Sequence, residues 1–370
     1  MPPIARIRLA SPPSDERIHE RVRRVIDSGQ LVAGPAVAEF EERLCAVSGR
    51  RHAVAVSSGT AALMAAMAAM GIGQGSVVLV PALTFPAPAM AAAFLGATVR
   101  LCDVDRDTFN ISVDTLEAGL REDVSLVIAI DQFGAPAPCA AIEARCAAAG
   151  IPVLVDAACS IGSSLGGRPC GSFGQAAIYS FHPRKIITTG EGGAVLTDDP
   201  LLARAVRHLR NFGLEDGRFA GMGINLRPSE IGAAMGLVQL DDLDRILAQR
   251  RMLADIYRQL PLRFQRPVDG AWMNHQTMAA IIPGIDEERR NGLMAFLREN
   301  GVESQLASYC LSRLDGLKEK FDFSDDRVPE ALQIYRTGIS LPLHGALSPD
   351  DVQEVSQLVL RFMADNGGHA

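Results

Sequence analysis

No Cys-X-X-Cys pair occurs in the 370 residues. The seven cysteines, Cys45, Cys102, Cys139, Cys146, Cys159, Cys170 and Cys310, are odd in number and scattered. They read as reduced thiols, and neither a disulfide framework nor a zinc framework is expected. No tract of Lys and Arg longer than a few residues appears, and 36 basic against 43 acidic side chains leave a net charge of -7. The electrostatic footprint of a nucleic-acid binder is therefore missing. The opening Met-Pro-Pro-Ile-Ala-Arg carries no apolar core behind a basic start, which argues against secretion. An uncharged stretch over residues 77–99 is broken by Pro81, Pro86 and Pro88, so a membrane helix is excluded there and residues 77–80 read as a buried strand. Aromatics make up 5% and charged residues 21%, ordinary values for a globular chain. With 48% apolar residues there is ample surface to bury, and wholesale disorder is excluded. The expectation is a soluble, cytoplasmic protein of two domains.

The order of elements points to a fold class. Val37, Phe40, Leu44 and Val47 recur at helical steps over residues 35–47. A short apolar strand at 53–56 runs into Ser57-Ser58-Gly59-Thr60, followed by an Ala- and Met-rich helix at 61–70 that stops at Gly71. Further strand-like runs lie at 77–80, 98–101, 126–130, 153–155 and 176–179, with helical stretches at 88–95, 112–120 and 138–149 between them. Such alternation predicts an α/β fold with a mostly parallel sheet covered by helices on both faces. Beyond Leu201 the texture changes. One long helical stretch spans 228 to about 260, and shorter segments follow at 278–282, 287–299, 339–341 and 349–363. The reading places a large domain at 1–247 and a smaller C-terminal α+β domain at 248–370.

Ligands of such sheets bind where strands end, and four features sit at predicted strand exits. Lys185 lies in Ser180-Phe-His-Pro-Arg-Lys185, just ahead of Thr188-Thr-Gly-Glu-Gly-Gly193. A lysine there can form a Schiff base with a carbonyl cofactor; alone, it reads as a surface lysine in a glycine loop. Asp156 ends the strand at 153–155. A carboxylate in that position is costly unless paired, and a protonated ring nitrogen would be a partner; alone, it reads equally as a helix cap. Ser58-Gly59-Thr60 joins strand to helix and would offer backbone N–H groups to a phosphate, with Ser180 adding a hydroxyl. Simple capping is the plainer reading. Phe85, after the strand at 77–80, could stack on a flat ring or fill a core. Together the four describe one ligand with an aldehyde, a ring nitrogen, a flat face and a phosphate, the features of pyridoxal 5'-phosphate (PLP).

The chain resembles the sugar aminotransferases of the DegT/DnrJ/StrS family, in the type I (aspartate aminotransferase) fold of PLP enzymes. The likeness runs from Ser28-Gly29-Gln-Leu-Val-Ala-Gly34-Pro35 through Ser57-Ser-Gly-Thr-Ala-Ala-Leu63, Pro81-Ala-Leu-Thr-Phe85, Asp103-Val-Asp105, Thr108-Phe-Asn110-Ile and Asp156-Ala-Ala. It continues over the Lys185 loop to Gly223-Ile-Asn225-Leu-Arg227-Pro-Ser-Glu230 and Leu341-Pro-Leu-His344. The resemblance implies that Lys185 holds the cofactor and shuttles the proton, Asp156 partners the pyridine nitrogen, and Phe85 stacks. Ser58, Gly59, Thr60 and Ser180 would form the phosphate cup. Asn225 would reach the phosphate across a dimer interface, which implies a homodimer with shared active sites. Relatives that act as dehydratases replace the lysine with histidine, so Lys185 favours transamination.

The chain departs from the family in three places. Cys159 stands where relatives have Gln or His, close to the cofactor. Asp131-Gln132-Phe133-Gly134 stands where relatives often have a histidine, and Asp131 reads as an additional polar contact or a cap. The stretch 308–326, where substrate contacts are expected, matches poorly. His182, Glu191 and Asp131 are taken as substrate-contacting candidates. Arg207, His208 and Arg210 read as a solvated or interface face of one helix, and Trp272, Asn274 and His275 as pocket-lining or core. The expected activity is transfer of an amino group from an amino acid, glutamate or glutamine, to a keto-sugar that is nucleotide-linked. A PLP-dependent dehydratase or lyase, and a PLP-binding regulator, are the competing readings; no metal is expected.

Overall fold

The computed structural model of the chain describes residues 5–366; residues 1–4, within the opening stretch that argued against secretion, lie outside the described residues. Seven strands form the central sheet: β1 His52–Val56, β2 Val77–Pro81, β3 Thr98–Cys102, β4 Leu126–Ile130, β5 Val153–Asp156, β6 Ala176–Ser180 and β7 Gly193–Thr197. Their spatial order is β1-β7-β6-β5-β4-β2-β3. All neighbours are parallel except β7, which runs antiparallel to both β1 and β6. The sheet is covered on both faces, which is why its central strands read as unbroken apolar runs. Successive side chains serve opposite cores: Val153 and Val155 pack into one cluster and Leu154 into the other. Strand β7 was not anticipated, because Gly193-Ala-Val-Leu-Thr197 is short and reads as the tail of the glycine loop.

The covering helices are α1 Glu16–Ser28, α2 Pro35–Ser48, α3 Gly59–Ala69, α4 Ala87–Phe94, α5 Val113–Gly119, α6 Cys139–Ala148, α7 Pro200–Arg210, α8 Glu230–Asp241 and α9 Leu243–Tyr257. Helices α2, α6 and α8 close one core, and α3, α4 and α7 the other. Helix α1 escaped the sequence reading because Ile18 is its one buried side chain. It is fixed instead by Asp15, which accepts from Ile18 N, and by Gly29 in the left-handed region at φ 70°. The expected long helix at 228–260 is two helices. Asp242 closes α8, and its carboxylate is held by Arg17 and Arg245. Arg207 and Arg210 of α7 reach Glu41 and the carbonyls of Ala53 and Ala55, so this face clamps the helix to edge strand β1.

After α9 the chain forms a four-stranded antiparallel sheet from Arg263–Phe264, Met278–Ile281, Gly338–Leu341 and Gln305–Leu306. It is backed by helices Glu287–Glu299 and Pro349–Asn366. Leu247 packs in a core of the large sheet, whereas Leu253, Ala254 and Tyr257, one to three turns further along the same helix, pack in the C-terminal core. Among the described residues no helix is long and apolar enough to cross a membrane.

Candidate active site

The carboxyl ends of β1, β2, β5 and β6 open on one cavity of about 580 Å³. Of the residues singled out from sequence, Ser58, Gly59, Thr60, Phe85, Asp156, Cys159, Ser180, His182, Lys185 and Glu191 line it. Two do not: Asp131 and Asn225.

At the β1 exit Ser58 caps α3, its Oγ accepting from Ala61 N at 3.0 Å. The N–H groups of Gly59 and Thr60 come first in the helix and have no intrahelical acceptor, so they and the positive end of the helix dipole are available to an anion. Capping and anion binding are thus compatible here, since the cap serves the third N–H. The end of β6 comes very close: a Cβ on Gly59 would sit 2.8 Å from Ser180 Cβ, and one on Gly193 would sit 2.4 Å from the Ser58 carbonyl oxygen. Glycine at both positions lets two strand ends and a helix start meet around a space the size of a phosphate.

Asp156, at the end of β5, is 6% exposed. Its Oδ1 accepts from Ala158 N at 3.0 Å, and Oδ2 takes no hydrogen bond among the described residues. Burial raises its pKa, opposed by the Ala158 N–H and the positive charge of Lys185. A buried carboxylate with one free oxygen is the environment a protonated ring nitrogen would complete.

Lys185 lies in a turn in which Lys185 N donates to the His182 carbonyl at 2.8 Å, with Pro183 setting the turn. Its Nζ donates to Cys159 Sγ at 3.0 Å. The Cys159 carbonyl is in turn held by Asn274 Nδ2 at 2.8 Å. Asn274 therefore does not line the cavity but fixes the loop that does, and Trp272 packs against the core. Phe85 stands at the cavity mouth, 64% exposed, edge-on to Tyr309 at 6.1 Å between ring centres. An aromatic so exposed on a cavity wall offers a free face to a flat ligand. His182 Nε2 lies 3.9 Å from Glu191 Oε1, and burial lowers its pKa.

Asp131 turns away from the cavity. Its carboxylate accepts from Ser160 Oγ at 2.6 Å and Ala137 N at 2.9 Å, and burial raises its pKa to about 6. Asp131 is thus neither a cavity contact nor a helix cap, the two roles the sequence left open: its bonds tie the loop after β5 to the segment before α6. Asn225 lies on an exposed segment, its Oδ1 accepting from Arg227 N, beside the exposed apolar side chains of Met222 and Ile224.

Sequence reasoning did not single out Gln132, Arg184, Gln276, Gln305, Ser308 and Tyr309, which also line the cavity. Gln132 Nε2 donates to Ser308 Oγ at 2.8 Å, and Arg184 Nη1 donates to Gln305 Oε1 at 2.7 Å. Ser308 and Tyr309 open the stretch that departs from the family pattern, and Gln132 and Arg184 adjoin residues that were named. A second cavity of about 450 Å³, beneath residues 9–15, shares Arg184, Lys185, Gln276 and Thr277 with the first.

An amine, a half-free buried carboxylate, a flat aromatic and an anion cup in one cavity fit PLP. Comparison with known proteins bears on this directly. A family model for the DegT/DnrJ/EryC1/StrS aminotransferases matches residues 12–360. Among solved structures, DesI, determined in the presence of its TDP-sugar product, is 32% identical with a TM-score of 0.88, over 97% of this chain and 92% of that one. 3-Amino-5-hydroxybenzoic acid synthase is 29% identical with a TM-score of 0.91, over 96% and 98%. Spr1654 of Streptococcus pneumoniae, solved in a PLP form, is 24% identical with a TM-score of 0.91, over 96% and 98%.

Proposed function

The chain belongs to the DegT/DnrJ/EryC1/StrS aminotransferase family, whose members use PLP, and from that premise we propose that it moves the amino group of L-glutamate or L-glutamine onto a nucleotide-linked keto-sugar. The product is an amino sugar for a surface glycan or a secondary metabolite. The observation that carries the reading is Lys185 Nζ, held toward Cys159 in the same cavity as the free Oδ2 of Asp156. The nucleotide-sugar part of the proposal is supported by the likeness to DesI, the protein solved with its TDP-sugar product.

PLP, when bound, supplies an aldehyde for amine exchange and a ring that accepts the electrons left when a C–H bond is broken. In the proposed roles, the Gly59 and Thr60 N–H groups with the Thr60 and Ser180 hydroxyls would hold its phosphate, and Asp156 Oδ2 would accept a hydrogen bond from its protonated nitrogen. Phe85 covers one face. Lys185 Nζ takes the proton from the α-carbon of the donor and returns one on the other side of the exchange, acting as base and then acid. Cys159 orients that amine. With the sugar acceptor the same nitrogen runs the sequence in reverse. We also propose that a second copy of the chain covers the segment of Asn225, completing each cavity with a residue from the other, and that the chain divides near Leu247.

The test is the visible spectrum of cofactor-loaded protein. Addition of L-glutamate should bleach the cofactor's visible band, and a nucleotide-linked keto-sugar should restore it while an amino sugar forms. A band inert to every amino donor would overturn the transfer and favour elimination chemistry.

A further inference from the structure

Arg184 carries a charge that no direct ion pair neutralises, although Asp156 and Glu191 line the same cavity. It is half-buried, and no carboxylate lies within ion-pair distance of it among the described residues. Its Nη1 donates to the neutral amide oxygen of Gln305 at 2.7 Å, and Nη2 and Nε make no hydrogen bond among the described residues. Burial pulls its pKa below the usual arginine value, and the groups that offset this are Cys159, Tyr309 and the more weakly felt Glu303. The first two line the cavity together with Arg184, and Cys159 is the thiol that receives Lys185 Nζ. Glu303 is engaged elsewhere, accepting from Leu9 N at 2.8 Å.

The backbone of Arg184 is fixed. Its N–H donates to His182 Nδ1 at 3.2 Å, its carbonyl accepts from Gln276 Nε2 at 2.7 Å, and Pro183 sets the turn it occupies. A cation held in a partly desolvated wall, with two of its nitrogens unengaged, is a poor structural element and a good receptor for a planar anion.

Building on the transaminase reading above, we propose that Arg184 binds the α-carboxylate of the amino donor, so that this residue admits 2-amino acids as a class. In such a donor the carboxylate is attached to the carbon that surrenders both amine and proton. A cation one residue from the proton-moving lysine, its side chain in the same cavity, is placed for that group. A keto-sugar that is not a uronic acid brings no carboxylate to this point. The guanidinium then keeps its bond to Gln305, a neutral partner that costs nothing to leave unchanged, and one cavity serves two chemically unlike substrates in turn.

The test uses the cofactor-loaded protein with Arg184→Gln and Arg184→Lys. Losing a charge-assisted bidentate contact should raise the half-saturating concentrations of L-glutamate, L-glutamine and L-alanine alike, by about 10- to 100-fold for Arg184→Gln, with Arg184→Lys between it and wild type. The binding constant of L-2-methylglutamate, which has the carboxylate but no α-proton to lose, should weaken by the same factor. Amination of the sugar by enzyme preloaded with the amino form of the cofactor should not change. Loss confined to glutamate would mean that Arg184 reads the side-chain carboxylate, and loss confined to the sugar half would mean that it reads the acceptor's phosphates; either overturns the proposal, as does a variant that matches wild type throughout. A wild-type protein inert to all amino acids would instead overturn the transaminase reading beneath it.

Discussion

Asp131 and Asp156 stand at the ends of adjacent strands, both buried, and their surroundings divide their roles. Both oxygens of Asp131 are engaged by the protein, whereas Asp156 keeps one free toward the cavity. The folded state holds the proton of Asp131 up to about pH 6, whereas the unfolded chain releases it near 3.8. Folding therefore binds a proton between those values, and the stability tied to the neutral carboxyl is lost as pH rises from about 4 to 6. Asp131→Asn removes that loss while keeping an acceptor for Ala137; Ser160 Oγ, now a donor to Asp131, would accept from the new amide and donate to the Ala157 carbonyl instead. Urea unfolding from pH 4 to 8 should show the variant gaining on wild type across this window by up to about 3 kcal/mol, then holding level. At Lys185 the expectation is kinetic. Lys185→Ala should lower turnover by roughly 10²–10⁴-fold, the range of a lost acid–base group, in steady-state assays, with its melting temperature unchanged.

Two elements depend on atoms far away in sequence. Helix α2 begins at Gly34, which has no capping side chain; its free N–H groups are taken instead by Glu230 of α8, whose carboxylate accepts from Gly34, Ala36 and Val37. The carboxylate is 1% exposed and also suits the positive end of the helix. Glu230→Ala should cost about 2–4 kcal/mol in denaturant unfolding because three donors, two of them buried, lose their acceptor. Glu230→Gln keeps one oxygen and should cost about half as much. Helix α3 gives the functional counterpart. Gly59→Ala drives a methyl into Ser180, so the cup should open and cofactor affinity fall by about tenfold or more in an absorbance titration, with helix content intact by circular dichroism. Gly59 and Glu230 both sit in the family-like motifs, but nothing local to either motif shows that one serves close approach and the other a distant cap.

At the scale of the whole molecule, exposed apolar side chains collect around the hairpin of Leu214–Glu215 and Arg218–Phe219 and the residues between it and Asn225. Phe219 is 76% exposed, Met222 88% and Ile224 50%, a grouping that costs solvation unless another surface covers it. In the proposed dimer these residues lie between copies. The Phe219→Asp/Met222→Asp double variant should sediment as a monomer with an unchanged circular dichroism spectrum and should lose turnover as each cavity loses its neighbour's Asn225. A wild-type monomer in sedimentation would remove Asn225 from the site.

The alternation of apolar runs with helical periods carried the parallel sheet, because period and burial are local properties that the chain displays along its length. The same holds for Lys185, Asp156 and the Ser58–Thr60 junction, since strand exits follow from strand positions. Strand β7 and helix α1 escaped because one is too short and the other too polar for periodicity to register; pairing partners and caps hold them. Gln305, Ser308 and Tyr309 reached the site only because the C-terminal sheet folds back over the β-strand ends, with Leu83 bridging to Cys310. Arg184 is adjacent to the lysine in sequence, yet its charge became informative only when the tertiary structure left it on a cavity wall with no carboxylate in ion-pair reach among the described residues.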